Sequence, residues 1–222
     1  MKIMQKLFER ILTRLFFQQG KIIVSIQTPW KKDFNDIQKT FQLTPTLVAR
    51  HEAYNLITLA RNMQKITGCY MEIGVYRGGT ARLIGLNKGN KKFFLCDTFK
   101  GLPEPGSGDD KRMKEHMYSG SLDEVKKVMG GIDNVFFVEG YFPQSMIEFD
   151  EQIAFVHLDL DLYKSTKETL EFIYPRISKG GIIITHDYSR LVGVKNAFDE
   201  FFVDKPEAII EQSETQAMVV KM

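Results

Sequence analysis

Cys69-Tyr70-Met71-Glu72-Ile73-Gly74-Val75-Tyr76-Arg77-Gly78-Gly79-Thr80 is the stretch on which the reading of the whole chain turns. An apolar run that reads as a strand breaks on glycines and passes into Ala81-Arg82-Leu83-Ile84, which reads as a helix. A strand, a glycine-rich turn and a helix start make a cradle, because small residues let a ligand approach the backbone closely. The spacing is E-x-G-x-x-x-G-G and not the G-x-G-x-x-G of a dinucleotide site, and Tyr76 is bulky where a pyrophosphate would lie. An acid two residues before the first glycine suits a ligand with cationic groups and no phosphate. S-adenosylmethionine, with its sulfonium and amino groups, is such a ligand. A plain strand-to-helix connection is the alternative.

Working outward, residues 46–67 read as a helix that delivers the chain into this strand. Strands follow at 92–97, 135–138, 153–159 and 180–185, separated by helical stretches at 121–129, from 165 to about 174, and at 194–202. Ser121 with Glu124, and Ser165 with Glu168, have the spacing of capping boxes. Two last strands are expected near 208–212 and 217–220. Repeated strand–helix units predict an α/β, doubly wound, mostly parallel sheet with an antiparallel C-terminal strand and ligands at the C-terminal strand ends. The segment 98–120 carries Gly101, Pro103, Pro105, Gly106 and Gly108 and reads as a long irregular loop, either a binding lid or a solvated insertion.

The length of 222 residues fits one domain of ordinary size, here 46–222, preceded by a helical extension at 1–45. Thirty basic against 28 acidic residues leave a charge of +2, which argues for neither a nucleic acid nor an acidic partner. Cys69 and Cys96 fall in apolar strands, so no disulfide framework or cysteine-based zinc site is expected and a reducing, cytoplasmic setting follows. Lys2, Lys6, Arg10 and Arg14 alternate with an apolar stripe through Phe8, Ile11, Leu12 and Leu15, an amphipathic helix at residues 1–19. Its charges interrupt any membrane span. A subunit contact in a homodimer is the expectation, ahead of membrane docking. Residues 21–41 read as mixed, ending in a turn at Thr44-Pro45.

The acids of interest all lie just past strands. Asp97 follows Gly74 at close to the ~20-residue offset at which a carboxylate reaches ribose hydroxyls. Asp159 and Asp161 are two apart, and would project to one side if the strand continued. His186 and Asp187 end the next strand, which in a doubly wound sheet neighbours the one before. Oxygen-rich ligation suits Mg²⁺ or Mn²⁺ better than zinc. His186 also reads as a neutral histidine packed at a strand end, and His51, His116 and His157 have no partner in the sequence.

Together the motifs resemble the macrocin O-methyltransferase family, the TylF-type enzymes that methylate sugar hydroxyls of natural products. The resemblance runs from about 46 to 202, over the Glu72–Thr80 turn, Asp97-Thr98-Phe99-Lys100-Gly101-Leu102-Pro103, Val138-Glu139-Gly140-Tyr141-Phe142-Pro143, His157-Leu158-Asp159-Leu160-Asp161-Leu162-Tyr163-Lys164-Ser165-Thr166, and Gly180-Gly181 through Asp187-Tyr188. It implies the class I methyltransferase fold. It also implies that Glu72, Gly74, Tyr76, Gly78, Gly79 and Thr80 surround the methionine part of S-adenosylmethionine, with Asp97 and Thr98 at its ribose. Asp159 and Asp187 match acids that bind Mg²⁺ beside the acceptor hydroxyls. The family usually has two consecutive acids where this chain has His186-Asp187, which opens the way to a softer ion such as Mn²⁺ or to metal-free base catalysis. The expected reaction is in-line methyl transfer to a saccharide or other small-molecule hydroxyl, with Asp159, Asp187 and His186 at the metal and Asp161 or His186 as base. A phenolic or catechol-like acceptor and a non-catalytic cofactor-binding protein are the rivals. A nicotinamide dehydrogenase is disfavoured by Tyr76 and the missing third glycine.

Overall fold

The computed structural model describes residues 30–222, so the amphipathic stretch at 1–19 and its expected subunit contact lie outside the described residues. The body that carries the site is Asp36–Met222. At its centre is β1 (Cys69–Ile73), with all five residues buried. It pairs in parallel with β2 (Phe93–Asp97) on one side and β4 (Ile153–Leu158) on the other. The sheet continues through β3 (Val135–Glu139) beside β2 and β5 (Ile177–Thr185) beside β4. Beyond β5, β7 (Ala217–Val220) runs antiparallel, and β6 (Ile210–Glu211) pairs with β7, giving the order β3-β2-β1-β4-β5-β7-β6. This is the class I Rossmann-like arrangement: a doubly wound sheet, parallel except for one C-terminal strand.

Strands buried on both faces read as nearly continuous apolar runs. β4, Ile153-Ala154-Phe155-Val156-His157-Leu158, is buried throughout. Alternate residues feed two cores. Met71, Ile73, Val156 and Leu158 pack with Leu170 and Ile173 of α5 (Tyr163–Ile173) and Phe198 and Phe202 of α6 (Val192–Phe202). Tyr70, Leu95, Phe155 and Ile184 pack on the opposite face with Leu56 and Ala60 of α2 (Arg50–Asn62) and Ala81 and Ile84 of α3 (Gly79–Gly85).

Several local expectations change. The mixed segment contains a helix, α1 (Lys31–Leu43), whose apolar residues Phe34, Ile37 and Phe41 follow a helical period that the sequence reading passed over. Its Ile37 joins Val48, Ala53, Ile57 and Leu83 in a third cluster. Helix α4 (Leu122–Val128) starts after Ser121 as expected, but the Ser121 side chain makes no capping bond. Helix α5 begins two residues before Ser165, so that serine lies inside it and its Oγ meets the Tyr141 hydroxyl at 3.2 Å. The strand expected at 153–159 stops at Leu158. Asp159 and Asp161 therefore come together not by strand alternation but by a turn in which Asp161 takes φ 60°. Among the described residues no helix is long and apolar enough to cross a membrane.

Candidate active site

The C-terminal ends of β1, β2, β4 and β5 open on one cavity of about 440 Å³. On one side its wall is the glycine turn: Gly74, Val75, Tyr76, Gly79 and Thr80 all line it. Gly74 has φ 87°, and a Cβ there would stand 1.9 Å from the Asp159 carbonyl oxygen. That close approach makes glycine obligatory and lets β1 and the β4 end meet at the site. Asp97 and Thr98 line the same side. Asp97 Oδ2 accepts from the N–H groups of Val75 (2.6 Å) and Tyr76 (2.9 Å), and Oδ1 accepts from Phe99 N–H (2.7 Å). A carboxylate has roughly four acceptor positions, so Asp97 braces the turn and keeps capacity for a ligand hydroxyl.

Two of the turn residues expected to surround the cofactor, Glu72 and Gly78, are not on the cavity wall. Gly78 sits at the N-cap of α3, facing Val125 and Val128. Glu72 is completely buried behind the turn, where it accepts from the Thr80 hydroxyl and lies 2.9 Å from His157 Nδ1. His157 thus has a partner that its sequence context did not reveal. Burial pushes the Glu72 carboxyl up, against the opposing pull of His157 and Thr80. The two thiols are buried, and desolvation raises Cys69 to about 12 and Cys96 further still, leaving both inert.

Across the cavity lie Asp159, Asp161, His186 and Asp187. Parallel pairing of β4 with β5 sets Leu158 beside Thr185, and His186 N–H donates to the Leu158 carbonyl (2.9 Å), so the residues just past the two strands converge. His186 is 6% exposed; its Nε2 lies 3.0 Å from Glu52 Oε2, and its Nδ1 is 3.5 Å from Asp159 Oδ1 and 3.2 Å from Asp187 Oδ2. Neither of the Nδ1 contacts has hydrogen-bond geometry, and Asp187 Oδ1 also has no partner. Asp159, His186 and Asp187 each offer a donor atom within 4.8 Å of the others. Burial alone would lower the His186 pKa, but the surrounding carboxylates, Asp159 first, raise it far above the ordinary value. Asp159 is correspondingly lowered, its own burial outweighed by His186, whereas burial together with Asp159 and Asp187 raises Asp161 well above the usual range. Tyr76, Asp161 and Asp187, all on the cavity wall, have positive φ (52°, 60° and 57°), and backbone strain of this kind concentrates at functional sites.

Glu52, on the first turn of α2, is the residue that sequence reasoning overlooked. It is 2% exposed and its two oxygens take four donors: His186 Nε2, Ala49 N–H (3.1 Å), and the N–H (3.0 Å) and Oγ1 (2.6 Å) of Thr215. Burial opposes its ionisation, yet His186 and Thr215 outweigh that and hold it at about 2. The available signal was an acid one residue before Ala53 and four before Leu56, inside the apolar stripe of a helix. The 98–120 loop closes the remaining side, with Leu102, Pro103, Arg112, Met113, Met117 and Tyr118 on the cavity wall. It is fastened by Asp109, whose Oδ1 accepts from Tyr163 N–H (2.7 Å) at the start of α5 and whose Oδ2 accepts from Gly106 N–H (2.8 Å).

The chain matches the model of the macrocin O-methyltransferase (TylF) family over residues 5–212. The chain belongs to this family. As a macrocin O-methyltransferase family member it is 31% identical over 153 residues to demethyldecarbamoylnovobiocin O-methyltransferase of Streptomyces niveus, covering 61% of this chain and 58% of that protein. It is 31% identical over 141 residues to the 8-demethyl-8-(2,3-dimethoxy-alpha-L-rhamnosyl)-tetracenomycin-C 4'-O-methyltransferase of Streptomyces olivaceus, covering 56% and 54%. The match thus spans a little over half the length of these relatives. The solved structure of the O-methyltransferase NovP superposes with a TM-score of 0.72 at 25% identity, covering 80% of this chain and 82% of that one. The family match begins well before the motifs that start at about residue 46.

Proposed function

We propose that this protein transfers the methyl group of S-adenosylmethionine to a hydroxyl of a sugar or glycosylated small molecule, assisted by a divalent cation. The observation that carries the reading is the meeting, in one cavity, of the Gly74–Thr80 turn and Asp97 with the cluster Asp159, Asp161, His186 and Asp187. The acceptor class is supported by the Streptomyces olivaceus relative, whose name puts its methyl transfer on a rhamnosyl-bearing molecule. A binding protein without catalysis would need the turn and Asp97 but not a second cluster of acids opposite them.

The turn residues would hold the methionine part of the cofactor and Asp97 its ribose. Three donors within 4.8 Å, with His186 Nδ1 and Asp187 Oδ1 unpartnered, fit a divalent cation. When bound, such an ion supplies charge that acidifies an acceptor hydroxyl, and Mg²⁺ or Mn²⁺ suits two carboxylate oxygens. Asp159 and Asp187 would hold the ion, with His186 Nδ1 beside them. Nε2 of His186 is held by Glu52 and Nδ1 lies inside the Asp159–Asp187 group, so neither nitrogen is placed to act as the base. Asp161, turned into the same cavity, is the residue we assign to take the hydroxyl proton. Tyr118, Met113 and Met117 from the loop close over the acceptor and exclude water. For residues 1–19 we keep the subunit contact as our reading, and deleting them should lower the mass measured by light scattering.

The test is methyl transfer from labelled S-adenosylmethionine to sugar, oligosaccharide and phenolic acceptors, with and without chelator. Transfer to saccharides that stops in chelator is the expected result. Transfer confined to phenols would replace the acceptor class, and full activity in chelator would remove the cation.

A further inference from the structure

We infer that Glu52 is a positioning residue for the cation centre, fixing His186 so that Nδ1, and not Nε2, is the imidazole ligand. The inference rests on the cation part of the function proposed above and assigns it a residue outside every motif of the glycine turn and strand ends. Glu52 is an acceptor-only carboxylate, so the ring nitrogen it meets at 3.0 Å, Nε2, must carry the hydrogen. That leaves Nδ1, whose proton a cation would displace, as the imidazole atom that faces the cavity. It lies between Asp187 Oδ2 and Asp159 Oδ1, within the three-donor group, and lacks a hydrogen-bond partner although the side chain is only 7% exposed.

The ring cannot easily swing to offer the other nitrogen. Glu52 is itself held by Ala49 N–H and by both donors of Thr215, which precedes β7. Its backbone carbonyl also lies 3.5 Å from Gln216 Nε2. Helix α2, the end of β5 and the approach to β7 therefore converge on one carboxylate, and the imidazole is clamped from behind. Ligating histidines commonly donate their second N–H to a carboxylate, which sets tautomer and ring orientation and strengthens the ligand. A nitrogen added to two carboxylate oxygens shifts the preference of the centre toward Mn²⁺ relative to Mg²⁺.

The experiment measures Mn²⁺ binding to the full chain by calorimetry, with S-adenosylhomocysteine binding and thermal melting as controls, for the wild type and Glu52→Gln. Loss of the carboxylate behind a ligating histidine weakens metal affinity about 10–100-fold. The expected result is a loss of that size in Glu52→Gln with S-adenosylhomocysteine affinity unchanged. Pulsed electron paramagnetic resonance of Mn²⁺ in the wild type needs no variant, and should detect one directly coordinated imidazole nitrogen. Equal Mn²⁺ affinity in a folded Glu52→Gln, or the absence of nitrogen coordination, overturns the proposal and leaves Glu52 a purely structural group. If the wild type binds no Mn²⁺ but does bind S-adenosylhomocysteine, the positioning role falls while the methyl-transfer reading stands. Failure to bind S-adenosylhomocysteine overturns that reading itself.

Discussion

Gly74 and Asp97 do double duty, because each shapes the cradle and holds it together. A methyl group at Gly74 would meet the Asp159 carbonyl oxygen at 1.9 Å, and the residue also needs a positive φ. Gly74→Ala should lower stability by more than about 3 kcal/mol, because overpacking in the core and backbone strain act together there. Thermal melting would check this. Asp97→Ala removes three hydrogen bonds from backbone N–H groups as well as the ribose contact we propose for it. It should weaken S-adenosylhomocysteine binding at least ~10-fold by calorimetry and also lower the melting temperature, since bonds to charged groups are worth about 1.5–3 kcal/mol each. Asp159→Ala and Asp187→Ala act on the other wall of the cavity. Turnover should fall by ~100-fold or more, the scale on which a transition-state charge contact is felt, while cofactor affinity stays within about threefold.

The 98–120 loop depends on an unusual latch. Asp109 reaches the first turn of α5 from a distant segment, and Gly193 of α6 leaves it the room. A Cβ at Gly193 would lie 2.2 Å from Asp109 Oδ1. Asp109→Ala and Gly193→Ala should both loosen the loop, costing about 1 kcal/mol as the loss of a helix cap does. Trypsin cleavage at Lys111, Arg112 and Lys114 should quicken, and the acceptor KM should rise more than that of the cofactor. If cleavage is unchanged, the latch is not what holds the loop. The same latch explains where sequence reading succeeded and failed. The succession of strands through β5 was legible because the runs are short, apolar and separated by helical stretches, though their order across the sheet was not, apart from the fourth and fifth as neighbours. The adjacency of β4 and β5 then brought Asp159, Asp161, His186 and Asp187 together as expected. Ser165 was misread as a cap because the orphan N–H at the helix start, on Tyr163, is satisfied by a loop residue 54 positions away. Glu52 escaped for a similar reason: its partners His186 and Thr215 lie 134 and 163 positions on. Local pattern carries no trace of such pairings.

On the scale of the whole molecule, acid sensitivity should come from carboxylates buried with their partners. Glu207, 4% exposed, accepts from Tyr174 Oη (2.8 Å), Lys221 Nζ (2.9 Å) and Met222 N–H (3.2 Å). Burial works against its charge, but these contacts hold it down from 4.5 to about 2. A folded pKa below the unfolded one contributes stability that is fully present above pH ~4.5 and is lost as pH falls toward 2. Glu207→Gln should therefore melt below the wild type at pH 6, by the equivalent of about 1–3 kcal/mol, and the gap should close between pH 4.5 and 2. A gap independent of pH would mean that packing, not charge, is what the substitution removes.

The insertion of β7 between β5 and β6 has a further meaning for how the protein is made. β7 is the last of the described strands in sequence, yet it is an interior one, and β6 has no other neighbour. During synthesis the edge of β5 must stay open until residues 217–220 have left the ribosome. Thr215, which grips Glu52 and through it His186, arrives in the same movement. The nascent chain can thus assemble the glycine-turn cradle from β1 and β2 long before the opposite wall is braced, so the two walls of the cavity are completed only once residues 215–220 have emerged.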